Sequence, residues 1–121
     1  MKYDEDNIFA KILRGEIPCD KIYENEFVLS FYDINPQKKI HALVIPKGKY
    51  VDLDDFNTNA SNDEIVGLMK GITIVSKKLG ISSIDGKGYR ALANVSDYGG
   101  QEVPHLHFHL FGGEKVGKMV S

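Results

Sequence analysis

Residues 105–110 read His-Leu-His-Phe-His-Leu, a strict alternation of imidazole and apolar side chains. A helix would scatter both kinds around its circumference, whereas an extended strand sends successive side chains to opposite faces. The run therefore predicts a strand with Leu106, Phe108 and Leu110 seated on a core. His105, His107 and His109 share the other face. The only other histidine is His41. Imidazole has an unperturbed pKa of about 6.5, so it serves as acid, base or nucleophile near neutral pH. A strand face carrying three of them is a candidate reaction surface.

The 121 residues are enough for one domain with its own core and too few for two. At 42% hydrophobic and 26% charged, the composition is that of a globular chain. A formal net charge of −2 leaves no basic surplus to neutralise a phosphate backbone, so no nucleic-acid polymer is expected as partner. A nucleotide-sized anion needs only a few local groups. Cys19 is the single cysteine, which rules out an internal disulfide and suits a reducing compartment. The acidic start, Met1 to Asp6, is unlike a secretory signal, and no apolar stretch approaches the ~20 residues of a membrane span. A cytoplasmic protein without a membrane partner is expected.

Asp6 is placed to cap a short helix over 7–14, ending at Gly15. Strands are expected at 20–24 and 27–34, joined tightly at Asn25-Glu26, and from His41 to Ile45, stopped by Pro46. Residues 51–60, rich in Asp, Asn and Thr, read as a surface loop. Ser61 and Glu64 form a capping box, after which Ile65, Leu68, Met69, Ile72, Val75 and Leu79 recur at helical spacing up to Gly80. A strand over 89–94 and the histidine strand follow. The expected fold is α+β: a five-stranded antiparallel sheet with two helices on one face, a single domain over 1–121 with its core at about 7–113 and a short tail over 114–121.

Three readings of the histidine strand compete: a solvated face, a metal site and a catalytic site. On a strand, residues i and i+4 lie about 13 Å apart, so one zinc ion cannot take all three rings. Only His41 or a distant carboxylate remains to complete a metal site, and no metal or other cofactor is expected. For catalysis the middle ring is the best nucleophile. Like-charge repulsion from its neighbours would keep His107 neutral, and a neutral imidazole can attack phosphorus to form a covalent intermediate. His105 and His109 would then serve as hydrogen-bond donors and as acid for the leaving group. Asp97 to Gln101, with Gly99-Gly100, is either a plain connection or a cradle of backbone amides for an anion. Asn94 either caps a turn or binds phosphate or ribose. Lys47, Lys49, Lys77 and Lys78 read as a solvated face rather than a phosphate clamp. Whether Phe9, Ile12 and Ile17 with Phe31 and Ile34 form core or a ligand pocket is left open.

The chain resembles the histidine triad superfamily, in its Hint-type branch of nucleoside phosphoramidate hydrolases. The resemblance runs through Ile8 to Ile12, Glu16-Ile17-Pro18, Phe31 to Pro36 and His41 to Lys47, and it is strongest from Gly99 to Gly113. It implies a homodimer that binds purine nucleoside monophosphates or phosphoramidates. In that scheme His107 attacks the α-phosphorus, expels an amine and forms a nucleotidyl-histidine that water hydrolyses, without a metal. Asp33 would hold the ribose hydroxyls, while Ile8, Phe9, Ile12, Ile17, Phe31 and Ile34 would wall the base. Asn94, His109 and the backbone at Gln101, Glu102 and Val103 would contact the phosphate. His41 would orient His107, and His105 would hold the local backbone and network. Glu102 stands where many relatives carry Ser or Thr; strand parity would turn it away from the histidine face. Cys19 alone cannot supply the Cys-rich structural zinc site of some relatives. The alternatives are a dinucleoside polyphosphate hydrolase of the same superfamily, and a nucleotide-binding or interaction module with incidental turnover. A zinc-binding protein is the third.

Overall fold

A computed structural model describes residues 2–119; the first residue and the last two of the tail lie outside it. Five strands form one antiparallel sheet: β1 (Lys21–Glu24), β2 (Val28–Tyr32), β3 (Ile40–Pro46), β4 (Arg90–Leu92) and β5 (Phe108–Gly112), in the order β1-β2-β3-β5-β4. Three helices accompany it: α1 (Ile8–Leu13), α2 (Leu53–Asn59) and α3 (Asn62–Lys78).

The central strands bury both faces. On one side Val28 of β2, Ala42 and Val44 of β3, and Leu106 and Leu110 pack with Leu68, Ile72 and Val75 of α3. On the other, Leu29 and Phe31 of β2 and Leu43 and Ile45 of β3 pack with Phe9 of α1. The expectation of helices on a single face is therefore corrected: α1 and α3 cover opposite faces. The unbroken buried run of β3 is the physical reason, because a strand that faces water on one side alternates apolar with polar residues.

Local chemistry explains the helix ends. The capping box at Ser61 and Glu64 is formed, and α3 stops at Leu79 with Gly80 at φ +72°. Asn7 rather than Asp6 caps α1, accepting from the Ala10 amide at 2.9 Å. Residues 53–59 form α2 and not the expected loop. Asp52 caps it, Asp54 and Asp55 sit in its first turn, and Phe56 (1% exposed) anchors it against the Tyr50 ring. Burying that ring contributes about 1.5–3 kcal/mol, enough to outweigh the weak helix propensity of Asp, Asn and Thr.

β4 and β5 are shorter than expected. The histidine run keeps its two-sided alternation, yet only its second half lies in the sheet ladder, where His109 pairs with Leu43 of β3 and Leu92 of β4. Its first half runs beyond β3, held by the Leu106 amide donating to the Tyr50 carbonyl at 2.8 Å. Among the described residues no helix is long and apolar enough to cross a membrane.

Candidate active site

Strand parity brings His41 and Leu43 of β3 onto the same face as His107 and His109. With Phe9, Asp33, Asn94 and the loop at Gly100, Glu102 and Val103 they line a cleft of about 270 Å³. Two larger cavities lie elsewhere: about 850 Å³ between the Gly80 turn and residues 113–116, and about 340 Å³ beside Cys19. Neither contains a histidine. Volume is therefore a poor guide here, and the clustered imidazoles single out the smaller cleft.

The hydrogen bonds assign each ring its tautomer. His107 Nδ1 lies 2.7 Å from the His105 carbonyl, which only accepts, so Nδ1 carries the proton and Nε2 keeps its lone pair. Nδ1 of His41 accepts from the Gln37 amide at 3.1 Å. Its Nε2 must then donate, to His109 Nδ1 at 2.9 Å. This leaves the proton of neutral His109 on Nε2. The cleft thus holds a bare nitrogen on His107 and an N–H donor on His109.

His105 plays a different part. It is fully buried and outside the cleft, donating from Nε2 to the Pro46 carbonyl at 2.9 Å and accepting at Nδ1 from the Tyr3 hydroxyl at 2.7 Å. Its carbonyl, not its ring, touches His107. Nor does His41 orient His107 directly; its contact is with His109, because register on β3 and β5 brings those two rings together. The Phe9 ring meets His107 edge-on, with centroids 4.9 Å apart.

Burial, rather than repulsion from neighbouring rings, is the main reason His107 resists protonation; its pKa lies below the ordinary imidazole value, opposed by the His105 carbonyl, Asp33 and Glu102. Burial also lowers His41, against the pull of Asp33. His105 and His109 are each pushed down to about 4, by burial first and then by the neighbouring His107.

Glu102 is a second correction. The chain bends over Val103 to His105, so the parity of the histidine run does not carry back to Glu102, which lines the cleft with its charge felt at His107. Gln101 is buried and works as a brace: its amide donates to the Val51 and Val103 carbonyls and accepts from the Ser96 amide. The loop needs Gly99, where a Cβ would fall 2.3 Å from the Val95 oxygen.

Of the six apolar residues expected around a base, the cleft takes only Phe9. Phe31 is core, Ile12 packs behind it and faces the cavity beside Cys19, and Ile17 is half-buried outside the cleft. Ile8 and Ile34 are 40% and 85% exposed. Asn35, Gln37 and Leu43 line the cleft without having been expected. Leu43 was readable from its i+2 spacing to His41; Asn35 and Gln37 sit in a turn with no periodicity to follow. Tyr3, 102 residues from its partner, had no local signal.

Asp33, His41 and His109 offer ligand atoms within 4.8 Å of one another, the one grouping among the described residues suited to a metal ion. Its two imidazole nitrogens are already joined by a hydrogen bond, so an ion would have to displace that proton.

An antiparallel sheet with these imidazoles in register beside a glycine loop defines the class, and the chain belongs to the HIT family: the HIT domain model matches residues 14–116, which take in all five strands. The chain is 50% identical to an uncharacterised HIT-like protein of Azospirillum brasilense, over 98% of this chain and 95% of that one. It is 39% identical to the purine nucleoside phosphoramidase of Escherichia coli, over 97% and 95%. Among solved structures, a HIT family hydrolase from Clostridium thermocellum superposes with a TM-score of 0.85 at 35% identity, covering 98% and 99%.

Proposed function

We propose that this protein hydrolyses the P–N bond of purine nucleoside phosphoramidates through a nucleotide covalently held on His107. The observation that carries the reading is the His107 Nδ1–His105 carbonyl bond, which fixes a bare, neutral Nε2 inside a polar cleft. Nε2 attacks phosphorus, the P–Nε2 bond forms, and the P–N bond to the amine breaks with its electron pair on the amine nitrogen. The proton that nitrogen needs comes from solvent and returns when water attacks the intermediate. The water oxygen then bonds phosphorus, and the electron pair of the P–Nε2 bond goes back to His107. The His105 carbonyl stabilises the positive charge on the modified ring. His109 Nε2–H, the Asn94 amide and the loop backbone donate to the phosphoryl oxygens, while Asp33 accepts from the ribose. Ile8 and Ile34 carry exposed apolar side chains next in sequence to the cleft residues Phe9 and Asp33, and would cover the base.

Support for phosphoramidates as substrates comes from the Escherichia coli relative of that name. The homodimer belongs to the same reading, with edge strand β4 as one available surface. So do a cytoplasmic location and a mechanism without a metal. The test is mass spectrometry of protein quenched while turning over adenosine phosphoramidate. A nucleotidyl adduct on His107, absent from His107→Ala, is expected. Turnover without an adduct, or faster turnover of diadenosine polyphosphates, overturns the proposal.

A further inference from the structure

We propose that Glu102 is a specificity-determining residue, favouring substrates whose leaving amine carries an additional positive charge and disfavouring anionic leaving groups. The inference rests on the hydrolase reading above and names its substrate class. The cleft is unusual for one that takes a phosphoryl group: its lining contains two carboxylates, Asp33 and Glu102, and neither lysine nor arginine. Binding sites for phosphate commonly supply a guanidinium or ammonium. Here the donors are uncharged, namely His109 Nε2–H, the Asn94 amide and loop backbone.

The two carboxylates differ in how far they are committed. Asp33 accepts from the Asn35 amide at 2.8 Å and lies 3.5 Å from His41 Nε2. Glu102 is exposed and, among the described residues, its carboxylate has no hydrogen bond or ion pair. It nonetheless lines the same cavity as His107, and its charge acts on that ring. A free carboxylate beside the nucleophile repels each negative charge a ligand adds near the phosphorus and attracts a positive one. A polyphosphate leaving group brings the wrong sign. An amine that bears a second ammonium brings the right one, and the carboxylate gains a partner only while that amine is bound.

Two adenosine phosphoramidates of nearly equal size test this, one made from butylamine and one from 1,4-diaminobutane. Comparing kcat/KM ratios between variants cancels the intrinsic reactivity difference of the two amines. Wild type should favour the diamine compound, and Glu102→Gln and Glu102→Ser should each lower the ratio by about 2–5-fold, the range of an exposed charge pair. Glu102→Lys should lower it further, and 0.5 M salt should narrow the wild-type preference. A ratio unchanged by all three substitutions, with both compounds still hydrolysed, overturns the specificity proposal alone. Hydrolysis of neither compound by wild type overturns the phosphoramidase reading, and this one with it.

Discussion

Each imidazole of the cluster has its own task because each meets a different set of partners. His107 is held by a carbonyl, His41 by an amide, and His105 by a carbonyl on one nitrogen and a phenol on the other. The alternation 105–110 revealed that the rings share a face, but backbone partners fixed by tertiary packing decide which nitrogen is bare. That division was illegible in the residues themselves. Tyr3 is the sharpest case. It lies before the family match begins at residue 14, yet its hydroxyl satisfies the buried Nδ1 of His105. Tyr3→Phe should cost about 1–3 kcal/mol, the penalty of stranding a buried acceptor, as read from urea denaturation midpoints. It should also lower kcat more than it raises KM, since the His105 carbonyl that fixes His107 loses its support. Unchanged midpoints and kinetics would show that another donor replaces the phenol.

At the scale of elements, the strands and α3 were legible because period-2 and period-3.6 patterns report burial directly. α2 was not: Asp, Asn and Thr suggest a loop, and a single residue, Phe56, reverses that reading through its burial. The glycines of α3 were equally opaque. A Cβ at Gly67 would sit 2.5 Å from the Phe27 ring, and one at Gly71 would sit 3.1 Å from Val28, so both let the helix approach the sheet closely. In an ordinary helix Gly→Ala stabilises by about 1 kcal/mol. Gly67→Ala should instead destabilise by about 1–3 kcal/mol, because Phe27 is met at its ring base rather than at a flexible tip. Calorimetry of the variant decides the sign, and a raised Tm would contradict the packing argument.

For the whole molecule, burying four imidazoles ties stability to pH. In the unfolded chain they take protons near 6.5, whereas in the native fold His105 and His109 hold out to about 4. Between those values protons favour the unfolded chain, so stability is complete above about 6.5 and declines as pH falls toward 4. For fully buried His105 the slope is about 1.4 kcal/mol per pH unit. Denaturation midpoints at pH 7, 5.5 and 4.5 should fall in that order, and a flat series would contradict the burial assignments. The sandwiching of the sheet between helices was written in β3, whose run from Ala42 to Ile45 has no polar interruption, the pattern of a strand covered on both sides. That sandwiching constrains how the protein can change. His109 rides on a strand wedged between two others, with Leu106 and Leu110 locked into the opposite interior, so shifting the rings means rebuilding the centre of the domain. Under the proposed mechanism, new leaving-group preferences would therefore arise in the turn at 33–37 and the loop at 94–103, which lie outside the sheet ladder.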